Sequence, residues 1–304
     1  MATASDKMRR ARPLLGTFVE IEVVGPVESE VNQAIDAAFE AVANVHRLMS
    51  FHDPHSDVSR LNREACDRPV NVHVWTFRVL EAAVEMHHRS NGVFDVAVAP
   101  ILRAMGLLPG LNEVGLTGTE ARAFDAIELL EKKMVRFRHP NIRVDLGGIA
   151  KGFAVDQAVE VLRGSGAARS GLVNAGGDLA AFGQEAQLVH VRHPRNPSRL
   201  VCSVDVTSEA LASTARRFDP FHSADTTASA IIDPRSGRPA TTIDGATVRA
   251  PSCMIADALT KIVMVAGRES SGLLELYNAS ALLISADGHI QISPNWQHAV
   301  HLAA

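Results

Sequence analysis

Cysteine is scarce: Cys66, Cys202 and Cys253 lie far apart and form no CxxC pair. Neither a disulfide framework nor a zinc-ligating cluster is suggested, and each thiol reads as a small buried hydrophobe. No apolar run reaches the roughly 18 residues that span a bilayer. The first twelve residues are polar and basic, with no apolar stretch before Pro13-Leu14-Leu15, so no secretory leader is expected and the sequence as written reads as cytoplasmic. An excess of one charge sign is missing as well: 30 Lys and Arg face 34 Asp and Glu, a formal net charge of -4, and the basic residues are dispersed. That leaves no electrostatic footprint for nucleic acid or an anionic membrane, and points to a small molecule or another protein as partner. No Pro/Gly/Ser-rich linker and no internal repeat divides the chain. Residues 13–304 are therefore expected to form one large two-lobed domain behind a basic N-terminal extension, residues 1–12.

What is present is a globular composition, 46% hydrophobic and 21% charged, sufficient for a substantial core. Thr17 to Val23 alternates as a strand, and residues 29–49 carry apolar side chains at helical spacing from Val31 through Leu48. Ser50 to Asn62 reads as a loop with a short helix capped at Ser56-Asp57. A helix over Trp75–His88 is ended by Asn91-Gly92, and an irregular Gly- and Leu-rich segment runs from Met105 to Thr119. Arg143 to Leu146 is expected to be a strand that Gly147-Gly148 turns into a helix. Leu172 to Asp178 is a strand and tight turn, Leu188 to Thr207 a pair of strands, and Ala230 to Thr242 a strand followed by a turn. A helix runs from Pro251 through Val265, and a hairpin with Asp287-Gly288 at its tip closes the chain. Helices and strands mix without a βαβ rhythm, which predicts the α+β class.

Three local patterns carry chemistry. In Asp145-Leu146-Gly147-Gly148-Ile149-Ala150-Lys151-Gly152, a glycine pair between strand and helix lets a ligand approach the backbone. Free N–H groups at the helix start and the Lys151 ammonium suit a phosphate or pyrophosphate, although a turn serving only packing is the other reading. The Walker A and GxGxxG patterns are both unmet. Gly176-Gly177-Asp178 is either a second close-approach segment or an ordinary hairpin turn. Asp257 and Lys261, four residues apart, share a helix face. That spacing is common in solvated ion pairs, but this helix is apolar nearly all round.

The order of blocks is more specific than any one of them. Leu15-Gly16-Thr17, Met49-Ser50-Phe51-His52, Ser59-Arg60-Leu61-Asn62, Gly92-Val93-Phe94-Asp95, DLGGIAKGFAVD (145–156), LVNAGGD (172–178), IIDPRSGRP (231–239) and Ala256-Asp257-Ala258-Leu259 follow one another as in the ApbE family, which the chain resembles over nearly its whole length. The resemblance implies an α+β, T-fold-like domain with FAD held between two lobes, and cleavage of FAD with Mg²⁺ to pass FMN to a Ser or Thr hydroxyl of an acceptor protein. Members of the family are often exported. Carried over by position, it implies a flavin-nucleotide site at Thr17, His52, Asp95, Gly147, Gly148, Lys151, Gly152, Gly176, Gly177 and Asp178. His52 would help decide transfer against hydrolysis. The metal would lie on Asp257 and the Gly148 carbonyl.

Two positions depart from the family pattern. Where the family has the His that deprotonates the acceptor hydroxyl, this chain has Ala230, and where it has a metal-ligating Thr there is Lys261. A methyl group takes no proton, and an ammonium has donors but no acceptor with which to bind a cation. Lys261 is expected to pair with Asp257 and supply one fixed positive charge to the catalytic centre. His193 and His222 are spare candidates for the base. Two readings follow: a transferase with a relocated base, or a degenerate flavin-binding carrier or regulatory module. Lys151 is expected to act on the ligand with little effect on folding. In calorimetric titrations the protein should bind FAD more tightly than NAD; equal or tighter NAD binding would remove the flavin assignment.

Overall fold

The computed structural model describes residues 7–109, 127–216, 229 and 231–303. The chain opens with a hairpin, β1 (Lys7–Leu14) and β2 (Thr17–Val24), whose strands pair along their full length. The basic start is therefore not an extension from Lys7 onward. Its charges have partners: Lys7 meets Glu22 at 2.5 Å and Arg9 meets Glu20 at 2.6 Å across the ladder, while Arg10 and Arg12 reach Asp36. Asp36 lies on α1 (Glu28–Met49), a helix that buries Val31, Ile35, Ala38, Val42 and Val45 of the stripe read from the spacing, while at its end Met49 is buried and Leu48 only partly so. The short helix α2 (Asp57–Glu64) is capped by Ser56, whose hydroxyl accepts from Ser59 N–H at 3.0 Å.

Next come β3 (Val70–Asn71), α3 (Val74–Arg89) and α4 (Ala99–Ala104), then β4 (Ile127–Leu130) and β5 (Met134–Phe137), which join β3 in a small sheet. Past α3 the backbone takes positive φ at Asn91 (52°) and Gly92 (78°), as the Asn-Gly pair predicts. Most of the irregular segment expected at 105–119 lies outside the described residues. The strand expected at Arg143–Leu146 does not form. Its hydrogen bonds go elsewhere: the Asn62 amide bonds both the N–H and the carbonyl of Val144, at 2.7 and 2.9 Å, and Asp145 N–H donates to Val96 O at 2.8 Å. Strand-like sequence here meets no ladder partner.

The second half supplies α5 (Ala150–Gly164), β6 (Ser170–Ala175), β7 (Asp178–Phe182), the long pair β8 (Gln187–His193) and β9 (Asn196–Val206), and β10 (Ala210–Ala215). Where one strand and a turn were expected over 230–242 there are two dipeptide strands, β11 (Ile232–Asp233) and β12 (Arg238–Pro239), closed by Gly237 at φ 66°. Ala230 itself lies outside the described residues. Then come β13 (Ile243–Ala250), α6 (Cys253–Ala266), α7 (Ser271–Leu276), the closing hairpin of β14 (Ser280–Ser285) and β15 (Ile290–Ile292), and β16 (Val300–Leu302).

The fold is α+β, in layers. An eight-stranded sheet runs β1-β2-β6-β7-β10-β13-β14-β15. One face packs on α1, α5 and α6; the other carries a second core under the three-stranded sheet β16-β9-β8. Strand β7 shows why the sheet is covered twice. Ala180 and Phe182 enter the helix-side core, Leu179 and Ala181 enter the other, and all five of its residues are buried. No helix among the described residues is long and apolar enough to cross a membrane.

Helices α5 and α6 approach closely at Gly152. A Cβ on Gly152 would lie 2.2 Å from Cys253 O and 2.8 Å from Asp257 Cβ, so the two backbones can meet only over glycine. Gly152→Ala should therefore destabilise the protein by about 1–3 kcal/mol or more, read as a lower urea midpoint. A midpoint unchanged from the native protein would show that the helices can part at little cost.

Candidate functional site

A cleft of about 1860 Å³ opens between the second face of the large sheet and β8. Four connecting segments contribute to its lining. The β1–β2 turn brings Thr17, the end of α1 delivers His52, and the entry to α5 presents Gly147 and Lys151. Gly176 and Gly177 form the two-residue turn from β6 to β7 with φ of 64° and 101°, the left-handed pair that a tight hairpin requires. The Asn174 side chain accepts from Gly177 N–H at 2.9 Å. Thr17 is what makes Gly176 obligatory on this wall, because a Cβ there would lie 2.6 Å from the Thr17 hydroxyl.

Thr17, His52, Gly147, Lys151, Gly176 and Gly177 thus line the same cleft. The other expected residues do not. Asp95 shapes the turn before α4, accepting Ala97 N–H at 2.7 Å. Gly148 packs on the Lys261 stem, which would be 3.5 Å from a Cβ at that position. Gly152 is buried, and its N–H donates to Asp257 Oδ2 at 3.1 Å. With Gly147 N–H donating to Asp145 and the N–H groups of Ile149 and Ala150 donating to Leu146 O, several N–H groups expected to face a ligand are used within the protein. The N-cap residue of α5, Ile149, makes no side-chain capping hydrogen bond.

Behind the wall lie two carboxylates with no exposed surface, Asp178 and Asp257. Lys151 Nζ is 2.9 Å from Asp178 Oδ2, and Lys261 Nζ is 2.5 Å from Asp257 Oδ1, so the i,i+4 pair expected from sequence forms. Asp178 holds the Lys151 ammonium above the usual lysine range, against burial that pulls it down. Burial and the neighbouring Asp257 push the Asp178 carboxyl up, opposed by both lysines. Lys261 also donates to Thr260 Oγ1 at 3.0 Å, Thr214 Oγ1 at 3.2 Å and Asp257 O at 3.3 Å. The Lys151–Asp178 contact corrects the expectation that Lys151 acts on a ligand alone. It also neutralises a buried carboxylate, and removing it leaves that carboxylate unpaired.

Several residues were not singled out by sequence. Asp156, inside the DLGGIAKGFAVD block, accepts the N–H groups of Cys253 and Met254 at 2.7 and 2.8 Å, which caps α6, and burial pushes its carboxyl up to about 6. Asp145 lines the cleft and accepts Gly147 N–H at 3.3 Å; burial raises its carboxyl, while that N–H and His52 act the other way. Arg216, at the end of β10, lines the cleft and donates to Asp244, which Arg195 also contacts. Burial pushes Asp244 up, but the hydrogen bonds from the two arginines hold it below the usual range. Thr214 was invisible because only strand pairing sets it opposite α6. Of the spare histidines, His193 lines the cleft with Nδ1 accepting Arg195 N–H at 3.1 Å, and His222 lies outside the described residues.

Known proteins match this chain along most of its length. The ApbE family profile covers residues 15–283. The FAD:protein FMN transferase of Vibrio cholerae is 28% identical over 281 residues, covering 87% of this chain and 83% of that protein. That of Treponema pallidum is 27% identical, covering 93% and 86%. Among solved structures, the ApbE protein of Thermotoga maritima superposes with a TM-score of 0.85 at 24% identity, covering 97% of this chain and 99% of its own. The Pseudomonas stutzeri flavinyl transferase ApbE, in its apo form, gives 0.82 at 20% identity over the whole of both chains. With most of its length inside the profile match and the same fold throughout, this chain belongs to the ApbE family.

Proposed function

We propose that the protein binds FAD in this cleft and transfers its FMN moiety to a Ser or Thr hydroxyl of an acceptor protein. The observation that carries the reading is that residues of both glycine turns and Lys151 line one cleft. Two close-approach backbones and a cation suit a pyrophosphate. The volume of about 1860 Å³ exceeds the roughly 300–1,000 Å³ of an ordinary small-ligand pocket, which leaves room for a dinucleotide and an acceptor segment together. The Vibrio cholerae, Treponema pallidum and Pseudomonas stutzeri relatives are named as transferases, so the reading of a flavin-holding module without transfer draws no support from them.

In the reaction, the acceptor oxygen attacks the phosphorus of the FMN half. The bond to the bridging pyrophosphate oxygen breaks and AMP leaves with its electron pair, while the hydroxyl proton passes to a base. Ala230 cannot take that proton. We assign the role to Asp145, a cleft carboxyl raised by burial and set beside Gly147, since a base is most effective when its pKa moves toward the working pH. Lys151 neutralises pyrophosphate charge, and His52 borders the flavin. The Mg²⁺ implied by the resemblance does not suit the residues present. Asp257 Oδ1 and its neighbouring oxygens are hard donors of the kind Mg²⁺ takes, but the Lys261 ammonium already lies 2.5–3.3 Å from four of them. No step is therefore routed through a metal.

The activity is tested by incubating the protein with FAD and a Ser/Thr acceptor peptide, then following AMP release and the mass of the peptide. An FMN adduct is expected. Asp145→Asn, which keeps an acceptor for Gly147 N–H, should slow transfer about 10²- to 10⁴-fold with FAD affinity little changed. Bound FAD with neither AMP nor adduct would sink the transferase reading.

The two roles of Lys151 can be separated. Lys151→Met should cost about 1–3 kcal/mol of stability by leaving Asp178 unpaired, and about 1.5–3 kcal/mol of FAD binding. Adding Asp178→Asn should recover most of the stability and none of the affinity. A double variant that binds FAD like the native protein would limit Lys151 to neutralising Asp178.

A further inference from the structure

We infer that the Lys261 ammonium is the resident cation of this site, built into the chain in place of a divalent metal, so that flavin-nucleotide binding here is independent of Mg²⁺. The nature of the ligand rests on the function proposed above; the nature of the cation does not.

The coordination is that of an occupied cation site. Four oxygens surround Nζ: Asp257 Oδ1 at 2.5 Å, Thr260 Oγ1 at 3.0 Å, Thr214 Oγ1 at 3.2 Å and Asp257 O at 3.3 Å. An ammonium has three N–H donors, so this shell leaves none in need of a partner. The oxygens come from two separate elements, α6 and β10, and the two threonine hydroxyls are themselves 3.1 Å apart. Both carboxylate oxygens of Asp257 are already engaged, Oδ1 by Lys261 and Oδ2 by Gly152 N–H at 3.1 Å.

Position and charge agree with this. The Lys261 stem lies against Gly148, so the ammonium is held at the glycine turn that precedes α5. Thr214 carries the contact outward, since its hydroxyl accepts from Lys261 while the residue lines the cleft. Asp178 and Asp257 are fully buried, and Lys151 and Lys261 each pair with one of them. The cluster is therefore neutral before any ligand arrives. A divalent ion added at Asp257 would have to evict a like charge tethered four residues along the same helix.

The full chain is tested with Mn²⁺ alone and with FAD. Free Mn²⁺, followed by its paramagnetic resonance signal, should be undiminished by the native protein. In calorimetry, FAD affinity should be the same, within about twofold, in EDTA and in millimolar Mg²⁺. Lys261→Thr frees Asp257 Oδ1 and adds a hydroxyl, so Mg²⁺ should tighten its FAD binding about tenfold or more, an increment lost again on adding Asp257→Asn. Stoichiometric Mn²⁺ binding by the native protein that disappears in Asp257→Asn, or a tenfold Mg²⁺ effect on native FAD affinity, would overturn the inference. If Lys261→Thr fails to fold, these native-protein measurements still decide it. Failure of FAD to bind in either buffer would instead count against the function, with the Mn²⁺ measurement still deciding the cation.

Discussion

The cleft depends on an exchange of backbone hydrogen bonds between α5 and α6. Asp156 on α5 accepts two N–H groups from the first turn of α6, and Asp257 on α6 accepts the N–H of Gly152 from the first turn of α5. Each helix thus supplies a carboxylate acceptor to first-turn N–H groups of the other. Charge-assisted bonds of this kind are stronger than neutral ones, and Gly152 lets the two backbones close to the distance at which both can form. Once the helix starts are fixed, so are Lys151 and Lys261, and with them the charge behind the cleft wall.

That charge is arranged at some energetic risk. Two carboxylates lie fully out of water, and each is acceptable only because an ammonium stands beside it. Asp178 makes the point most sharply. Apart from the Lys151 ammonium at 2.9 Å, neither of its oxygens has a well-directed hydrogen bond among the described residues. A site with this architecture couples ligand affinity to stability, because the lysine that faces the cleft also neutralises the protein's interior.

The layers explain why there is a cleft at all. The large sheet is apolar on both faces over β7 and β10, but the three-stranded sheet covers only part of the second face. The uncovered part, bounded by β8 and by the glycine turns, becomes the cavity. Its polar end coincides with the turn into α5, where Gly147 and Lys151 line the cleft. Apolar sheet surface beside a cationic turn suits a ligand with an aromatic body and a pyrophosphate.

Much of this was legible from local pattern. The stripe of α1, the Ser56 cap, the Asn91-Gly92 stop, the left-handed Gly176-Gly177 turn and the apolar α6 with its Asp257–Lys261 pair are all set by residues within a few positions of one another. Helical period, turn chemistry and i,i+4 reach are properties of short segments, and the sequence determines them unaided. Tertiary structure decided whatever needed a distant partner. It drew Lys7–Arg12 into the sheet through Glu20, Glu22 and Asp36, and gave the backbone bonds of residues 144–145 to Asn62 and Val96. It buried Gly152 between helices, set Asp178 beside Lys151, and placed Thr214 against Lys261 from 47 residues away. A carboxylate or hydroxyl reads the same on an exposed turn as at a buried helix junction. Only the packing of α5 and α6 against the sheet decides which charge is shielded from water, and therefore which must be paired.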